Sequence, residues 1–313
     1  MALLVLIDGM DPDPFVRELR RLTPDRDIRT WPQTGDKTGI RHALVWRPPR
    51  GELATYPNLQ TIVSLGAGVD HLMADPDLPH VPVVRFVDPD LTLRMREYVV
   101  LHALLHQRRM LDYAGLQRAA RWQELEQPAA DEIRVGVMGL GVLGADCARM
   151  LARLGFKVAG WSRSPRSVDG VRCHSGAAER DGFLARTDIL VCLLPLTNET
   201  RGLLDRALFA RLARNGPLPG PVLINAGRGG LQVETDILDA LDTGALWACS
   251  LDVFEEEPLP ASSPLWHHPR VVITPHTASV SDPRAVARYA LGQIACQEAG
   301  KPLTNLVDLT RGY

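Results

Sequence analysis

The chain has 313 residues, a formal net charge of −2, 45% hydrophobic residues and 23% charged residues. This length is sufficient for two domains, since a domain usually has about 100 to 200 residues. The nearly balanced charge gives no electrostatic case for binding nucleic acid or an anionic membrane surface. We therefore expect the partners to be small molecules or further copies of the chain.

Hydropathy and cysteine spacing further restrict the class of protein that we expect. No apolar run approaches the roughly 20 residues of a membrane helix. The start of the chain lacks the pattern of a signal peptide and predicts a buried strand instead. The cysteines show no C-x-x-C spacing, and histidines, cysteines and acids do not cluster at ligand spacing. We therefore expect a cytoplasmic protein with reduced thiols and without a metal site.

The first part of the chain alternates short apolar runs with longer segments that can form helices. This alternation predicts a parallel β-sheet covered by helices. The loop Leu65–Gly68 follows one of the runs, and its glycines would allow backbone N–H groups to approach a carboxylate, although an ordinary turn would look the same. The predicted strands are Leu3–Ile7, Ala43–Val45, Thr61–Ser64 and Val83–Phe86.

A mixed polar and apolar segment from Arg94 to Arg121 follows, with no glycine before Gly115. We expect this segment to form one long helix that connects the two domains.

The second part of the chain predicts six strands, enough for a complete dinucleotide-binding sheet. These strands are Val135–Met138, Lys157–Trp161, Ile189–Leu194, Pro221–Asn225, Trp247–Asp252 and Val271–Thr274.

A G-x-G-x-x-G motif lies between the first of these strands and an amphipathic helical segment. Gly139 would permit a tight turn, Gly141 would let the backbone approach a pyrophosphate, and Gly144 would let the helix pack closely on the strand. Val142 and Leu143 lie at the helix N-terminus, which would face the phosphates. A glycine-rich turn without a ligand is the alternative, but the strand before it and the helix after it favour cofactor binding.

The next predicted strand ends about 20 residues beyond the glycines, where an NAD enzyme carries an acid for the ribose 2′-hydroxyl. Here the sequence has Ser162, Arg163, Ser164 and Arg166 and no acid. Two arginines suit a 2′-phosphate and predict NADPH in preference to NADH. Solvated surface arginines are the alternative.

Three residues that follow strand-like runs have the chemistry to reduce a 2-keto acid. Arg228 offers a planar fork that matches a carboxylate. His276 can donate a proton near neutral pH to the oxygen that becomes an alkoxide. Glu257 can orient the imidazole and favour its protonated form. Glu255 and Glu256 are rival candidates for this role. Three consecutive acids are also more often a solvated surface run than a site.

The ordered motifs resemble the D-isomer-specific 2-hydroxyacid dehydrogenase family, and within it the glyoxylate/hydroxypyruvate reductase A branch. The resemblance covers nearly the whole chain. Its residues are Val45–Pro49, Leu65–His71, Gly139–Gly144, Trp161–Arg163, Leu193–Thr197, Asn225–Gly229, Leu251–Pro260, Ser263–Trp266, Thr274–His276 and Arg311–Tyr313.

The resemblance implies an α/β fold of two Rossmann-like or flavodoxin-like domains with parallel sheets. The NAD(P)-binding Rossmann domain, residues 100–282, would be inserted in a discontinuous substrate-binding domain, residues 1–99 plus 283–313. It also implies that Arg228, Glu257 and His276 are catalytic and that the protein is a homodimer. The resulting prediction is an NADPH-dependent reductase of small 2-keto acids, which converts glyoxylate to glycolate and hydroxypyruvate to D-glycerate.

The resemblance assigns further residues to the site. Trp46 would lie at the substrate cleft and exclude bulky side chains, although core packing is an alternative. The backbone of Ala67 and Gly68 would receive the substrate carboxylate, opposite Arg228. Asp252 would contact the nicotinamide amide or cap a turn. The remaining residues predicted to line the cofactor are Leu194, Pro195, Thr197 and Ala226.

Two other functions remain open at this point. The fold family includes corepressor-like proteins, in which nucleotide binding controls assembly, so a fold match alone does not prove catalysis. An NAD-linked dehydrogenase that runs toward oxidation is the second alternative, and Ser162 and Arg163 argue against it.

Overall fold

The computed structural model describes residues 1–309, which form α-helices and parallel β-strands. The chain divides into two compact units, one of Met1–Leu91 together with the segment from Val280 onward and the other of Thr92–Ser279. The domain bounds predicted from the sequence stay a prediction. The motif Arg311–Tyr313 lies outside the described residues. Over residues 1–309, none of the helices combines the length and hydropathy of a membrane span.

The described residues form twelve strands and nine α-helices. The strands are β1 (Ala2–Ile7), β2 (Ile28–Thr30), β3 (Ile40–Trp46), β4 (Thr61–Ser64), β5 (Val83–Arg85), β6 (Arg134–Met138), β7 (Lys157–Ser162), β8 (Arg172–Ser175), β9 (Ile189–Cys192), β10 (Val222–Asn225), β11 (Ala248–Leu251) and β12 (Val271–Ile273). The helices are α1 (Asp13–Leu22), α2 (Asp70–Met73), α3 (Pro89–Gln107), α4 (Met110–Arg118), α5 (Val142–Arg153), α6 (Gly176–Leu184), α7 (Arg206–Phe209), α8 (Glu234–Asp242) and α9 (Pro283–Glu298).

The first unit contains a five-stranded parallel sheet in the order β2-β1-β3-β4-β5. Side chains of β1 alternate between the two faces. Leu3 and Val5 pack with residues of α1 and α9, whereas Leu4 and Leu6 pack with residues on the other side. Apolar residues on both faces are what a parallel sheet buried between helices requires. This strand order is the flavodoxin-like one.

The second unit contains a seven-stranded parallel sheet in the order β12-β11-β10-β9-β6-β7-β8. The chain leaves β6 on one side to form β7 and β8, and then continues on the other side from β9. The strand order therefore reverses at β6, and ligands of such sheets bind beyond the carboxyl ends of the strands at this switch point. The predicted α/β fold with two parallel sheets is confirmed.

Both faces of the second sheet are also buried. Val135 and Val137 of β6 pack with α3 and α5 on one face, and Met138 packs on the other face with residues of α6, α7 and α8. The strands are therefore nearly continuous apolar runs, which is why the sequence revealed most of them.

The prediction missed one strand in each sheet, β2 and β8, and both are edge strands. β2 has only three residues, and β8 has the polar sequence Arg-Cys-His-Ser. An edge strand packs against fewer neighbours and can be short and polar, so its sequence lacks the apolar run that identified the central strands.

The prediction of one helix from Arg94 to Arg121 was wrong. α3 ends at Gln107 and α4 begins at Met110. Between them Arg109 has φ 55° and ψ 36°, a left-handed conformation that ends the right-handed helix. Its Nε donates to Asp112 Oδ2 at 2.9 Å, a contact made within the new helix.

α3 buries two histidines against the sheet of the second unit. His102 Nδ1 and His106 Nε2 lie 2.7 and 2.8 Å from Ser250 Oγ. The hydroxyl can donate to one ring and accept from the other if both rings are neutral. Burial lowers the pKa of His102 to about 4, and burial together with the charge of His102 lowers the pKa of His106 to about 3. Both rings are therefore neutral at physiological pH.

Acidification should destabilise the protein through these histidines. The unfolded chain takes up protons near the ordinary histidine pKa of about 6.5, whereas the folded protein does not, so stability present above about pH 6.5 is lost as the pH falls. Between about pH 7 and about pH 5 we expect a loss of about 2 kcal/mol for each histidine. Urea unfolding at the two pH values measures it, and His106→Leu should show a smaller loss than wild type. Equal losses in both proteins would contradict this explanation.

A very close backbone approach in the second unit joins α5 to the loop after β6. A Cβ built on Gly144 would lie 1.8 Å from the carbonyl oxygen of Gly139. Backbone atoms cannot yield as a flexible side chain does, so only glycine permits this packing.

Replacing Gly144 should therefore destabilise the protein even though alanine is the better helix former. We expect Gly144→Ala to lower the free energy of unfolding by about 1 to 3 kcal/mol, the usual cost of overpacking. Gly182→Ala in α6 is the matched control, because a Cβ there would meet nothing within 4 Å. Chemical denaturation of both variants provides the comparison, and equal stabilities would refute the constraint.

Candidate active site

The predicted site residues of the second unit lie in loops that follow strands of its sheet. The glycine motif follows β6, Arg228 follows β10, Asp252 follows β11 and His276 follows β12. Because these strands are parallel, their loops leave the sheet at the same edge. Gly139 and His276 are more than 130 positions apart in the sequence, and both therefore lie at the same edge of this sheet.

The glycine loop has the features of a phosphate cradle. Gly139 has φ 102°, and a Cβ on it would lie 2.7 Å from the carbonyl oxygen of Leu193. A Cβ on Gly141 would meet nothing within 4 Å, so its surroundings are open. Gly141 caps α5 without a side-chain hydrogen bond. The first N–H groups of a helix have no partner within it, so Val142 and Leu143 can offer theirs to a pyrophosphate.

The predicted 2′-phosphate residues follow β7, the strand next to β6. Ser162 is buried at the end of β7, and its Oγ donates to the carbonyl oxygen of Ser164 at 2.8 Å. Arg163, Ser164 and Arg166 are exposed. The loop thus presents positive charge and no carboxylate, and it fits a phosphate better than a ribose hydroxyl alone.

The loop after β9 is held by a residue that the sequence analysis missed. Thr200 Oγ1 donates to the carbonyl oxygen of Pro195 at 2.8 Å and accepts from the N–H of Thr197 at 2.8 Å. Leu194 is buried, and the N–H of Ala226 donates to Cys192 O at 3.2 Å. Of the four predicted cofactor-lining residues, Leu194, Pro195 and Thr197 therefore lie in a hydrogen-bonded loop after β9, and Ala226 lies directly after β10.

His276 and Glu257 form a direct pair. His276 Nδ1 lies 2.9 Å from Glu257 Oε2 and 3.1 Å from Oε1. A carboxylate only accepts hydrogen bonds, so Nδ1 carries a proton and Nε2 is the nitrogen that can exchange a proton with a ligand. The side chain of His276 is about one-third exposed, at 31%, whereas that of Glu257 is 19% exposed. Glu257 also accepts a hydrogen bond from Phe254 N at 3.1 Å.

Asp252 holds the loop that carries His276. Its buried carboxylate accepts hydrogen bonds from Thr274 Oγ1 at 2.6 Å, Thr277 N at 2.8 Å and Ala278 N at 2.9 Å. Its carbonyl oxygen accepts from His276 N at 2.8 Å. These contacts stabilise His276 at φ 54°, a conformation that is unfavourable for a residue other than glycine.

The environment of Asp252 acts on its charge in two directions. Burial raises the pKa of Asp252, and the hydrogen bonds from Thr274, Ala278 and Thr277 and the charge of His276 oppose this rise. These hydrogen bonds join Asp252 to the segment after β12, so its predicted contact with the nicotinamide and its alternative role as a cap of the turn that follows it both stay predictions.

Arg228 begins a 3₁₀ turn, Gly229–Leu231, and its Nη1 donates to the carbonyl oxygen of Gly227 at 2.8 Å. The turn packs tightly against the loop that carries Glu257. A Cβ on Gly229 would lie 1.8 Å from the carbonyl oxygen of Phe254. The loops that carry Arg228 and Glu257 are therefore in backbone contact.

Two buried amides of this region, Asn225 and Gln232, received no role from the sequence, although Asn225 begins the motif Asn225–Gly229. Asn225 Nδ2 donates to Gln232 Oε1 at 2.8 Å. A polar residue at the end of the apolar run Val222–Asn225 is a possible signal for the first, whereas nothing in the local sequence marks the second.

In the first unit, Trp46 is the last residue of β3, and its ring packs against Gly66 and His71. A Cβ on Gly66 would lie 2.6 Å from the Trp46 ring, and the ring centroid of His71 is 5.0 Å from that of Trp46. Ala67 and Gly68 follow in the same loop after β4 and are partly exposed. The first unit thus places these three predicted substrate-binding residues near one another.

Comparison with known proteins identifies the family. Residues 100–278 match the model of the D-isomer specific 2-hydroxyacid dehydrogenase NAD binding domain. The chain is 41% identical to the glyoxylate/hydroxypyruvate reductase A of Serratia proteamaculans over 307 residues, which covers 96% of each protein. It is 40% identical to the protein of that name from Klebsiella pneumoniae strain 342, with 100% of both covered.

Solved structures of similar proteins indicate the same family. The NADPH-dependent glyoxylate/hydroxypyruvate reductase of Sinorhizobium meliloti, in complex with NADP and sulfate, has a TM-score of 0.95 and 47% identity, covering 100% of this chain and 99% of the other. A D-isomer specific 2-hydroxyacid dehydrogenase of Xanthobacter autotrophicus Py2, in complex with NADPH and MES, has a TM-score of 0.94 and 42% identity with the same coverage. The chain belongs to the D-isomer-specific 2-hydroxyacid dehydrogenase family.

Proposed function

We propose that this protein is an NADPH-dependent reductase of small 2-keto acids that converts glyoxylate to glycolate and hydroxypyruvate to D-glycerate. The observation that carries this proposal is the hydrogen-bonded pair of His276 and Glu257, together with the backbone contact between the loop that carries Glu257 and the loop that carries Arg228. The names of the relatives with about 40% identity support the choice of substrates.

Arg228 binds the carboxylate of the keto acid and polarises its carbonyl group. A guanidinium can make two parallel hydrogen bonds to a carboxylate, which fixes the orientation of the substrate as well as its position. The backbone N–H groups of Ala67 and Gly68 also bind the carboxylate, and Trp46 limits the size of the substrate side chain. The family resemblance supports these three roles.

His276 donates a proton from Nε2 to the substrate oxygen as negative charge develops there. Glu257 orients the ring through Nδ1 and compensates the positive charge of the imidazolium. A bound nicotinamide supplies the hydride. Since Asp252 fixes the backbone on both sides of His276, the imidazole keeps its position through the reaction.

The cofactor binds with its pyrophosphate at Gly139–Gly144 and its 2′-phosphate at Ser162, Arg163, Ser164 and Arg166. Leu194, Pro195, Thr197, Ala226 and Asp252 line the nicotinamide half. The open surroundings of Gly141 support the pyrophosphate position, and the lack of an acid after β7 supports NADPH over NADH. The NADP and NADPH in the two similar solved structures support the same choice.

We further propose a homodimer in the cytoplasm. The family relationship supports the dimer, and five cysteines without a disulfide are consistent with a reducing compartment.

Initial rates should show the cofactor preference. With glyoxylate or hydroxypyruvate, we expect faster consumption of NADPH than of NADH at matched concentrations. Arg163→Ala should raise the KM for NADPH by roughly 10- to 100-fold, since a charge-assisted hydrogen bond contributes about 1.5 to 3 kcal/mol, and should leave the KM for NADH nearly unchanged. Absorbance at the nicotinamide band follows both reactions.

Arg186→Ala serves as the control for the loss of an exposed arginine in the same unit. Faster turnover with NADH would leave the chemistry intact but reverse the cofactor assignment. If neither cofactor is consumed with either keto acid, the proposed substrates are wrong.

Loss of the proton donor should stop turnover without loss of cofactor binding. We expect His276→Ala to lower kcat by roughly 10²- to 10⁴-fold, the usual contribution of a positioned general acid. The Kd for NADPH, measured by fluorescence titration, should stay within a factor of about two, because the cofactor contacts lie elsewhere. His268→Ala, also in the second unit, is the matched control. An unchanged kcat in His276→Ala would sink the assigned role.

A further inference from the structure

We propose that Gln232 is a positioning residue that links the Arg228 loop to the Glu257 loop, so that one buried amide sets substrate binding and proton donation together. This inference rests on the proposed function.

The Arg228 side of the link runs through Asn225. Gln232 is 2% exposed, and its Oε1 accepts from Asn225 Nδ2 at 2.8 Å. Asn225 Nδ2 also contacts the carbonyl oxygen of Arg228 at 3.2 Å, and Asn225 Oδ1 accepts from Gly227 N at 3.1 Å. The Asn225 amide therefore holds the backbone at Arg228 and just before it, and Gln232 holds that amide.

The Glu257 side of the link begins at the other end of the same amide. Gln232 Nε2 donates to the carbonyl oxygen of Val253 at 3.0 Å. The next residue, Phe254, donates its N–H to Glu257 Oε1 at 3.1 Å. That oxygen lies 3.1 Å from His276 Nδ1. The Val253 carbonyl and the Phe254 N–H belong to one planar peptide group, so a single peptide unit connects Gln232 to the carboxylate that orients the proton donor.

A second contact reinforces this side. Gln232 Nε2 lies 3.5 Å from Glu234 Oε1, which accepts from Glu255 N at 3.1 Å. The loop after β11 is therefore held at Val253 and at Glu255, on both sides of Phe254.

Position 232 requires an amide. Asn225 presents a donor and Val253 presents an acceptor, and a primary amide satisfies both at once. A carboxylate would place an acceptor against the Val253 carbonyl. A hydrocarbon would remove the hydrogen bond to the Val253 carbonyl and leave Asn225 Nδ2 with only its contact to Arg228 O.

Loss of the link should shift the loops without unfolding the protein. Gly229 remains packed on the Phe254 backbone, and a Met side chain nearly conserves the volume of Gln. The expected result is a displaced site in a folded enzyme, where a misplacement of about 1 Å can cost about 100-fold in rate.

The test compares Gln232→Met with Gln293→Met. Gln293 is a matched control, 8% exposed in the first unit, where its amide donates to Thr304 Oγ1 at 2.7 Å and accepts from Thr304 N at 3.1 Å. For Gln232→Met we expect about a tenfold or larger rise in the KM for glyoxylate and a several-fold fall in kcat. The Kd for NADPH should change less than about twofold. Gln293→Met should lose stability and keep its kinetic constants.

Gln232→Glu adds a readout that a merely structural role would not move. The introduced carboxyl is isosteric with the amide, and when protonated it can again donate to Val253 O. Its kcat relative to wild type at the same pH should therefore recover as the pH is lowered, whereas that of Gln232→Met should not. This variant keeps the proposal testable if Gln232→Met fails to fold.

The outcomes separate the two proposals. Wild-type kinetic constants in Gln232→Met, with only a lower thermal stability, overturn the positioning role alone. A pH-independent deficit in Gln232→Glu also overturns it. Wild-type protein that reduces neither keto acid overturns the proposed function and this role with it.

Discussion

The candidate active site of the second unit depends on one constraint, the parallel direction of all the strands in its sheet. In a parallel sheet every carboxyl end lies at the same edge, and the order of strands decides which loops are neighbours. β10 lies between β9 and β11, and β12 is next to β11. The loops that carry Arg228, Glu257 and His276 are therefore consecutive along that edge, although many residues separate them in the chain.

Hydrogen bonds between loops then convert this proximity into fixed geometry. Asp252 binds the segment after β12 through its carboxylate and its carbonyl oxygen. Gln232 connects the ends of β10 and β11. Most of these groups are buried, and a buried polar group that lost its partner would cost free energy, so each contact discourages movement of its loop. Hydrogen bonds are directional and apolar packing is not, so the polar network fixes the positions of these loops more specifically than apolar packing alone would.

This rigidity supports the proposed roles of His276 and Glu257 in the reduction of a keto acid. His276 keeps an unfavourable backbone conformation because Asp252 holds the residues around it, and Glu257 fixes the orientation of its ring. The arrangement follows the general logic of an acid that is oriented by a carboxylate. The glycine loop provides the proposed cofactor site. α5 packs closely on this loop at Gly144, and the space around Gly141 at the helix N-terminus is open.

The sequence by itself determined the central strands and the glycine loop, because each depends on a local pattern: an apolar run, or a glycine where the backbone must turn. It also nominated Arg228, Glu257 and His276 as reactive side chains at strand ends, and their catalytic roles stay a proposal. Only the tertiary structure decided the edge strands β2 and β8, the helix break at Arg109 and the contacts of Gln232. An edge strand is defined by pairing on one side only, and its own sequence does not show where in the sheet it lies. The carbonyl partner of Gln232 lies 21 residues away. Such contacts exist only once the loops converge, and the physical reason is that a hydrogen-bond partner is selected by position in space and not by local sequence.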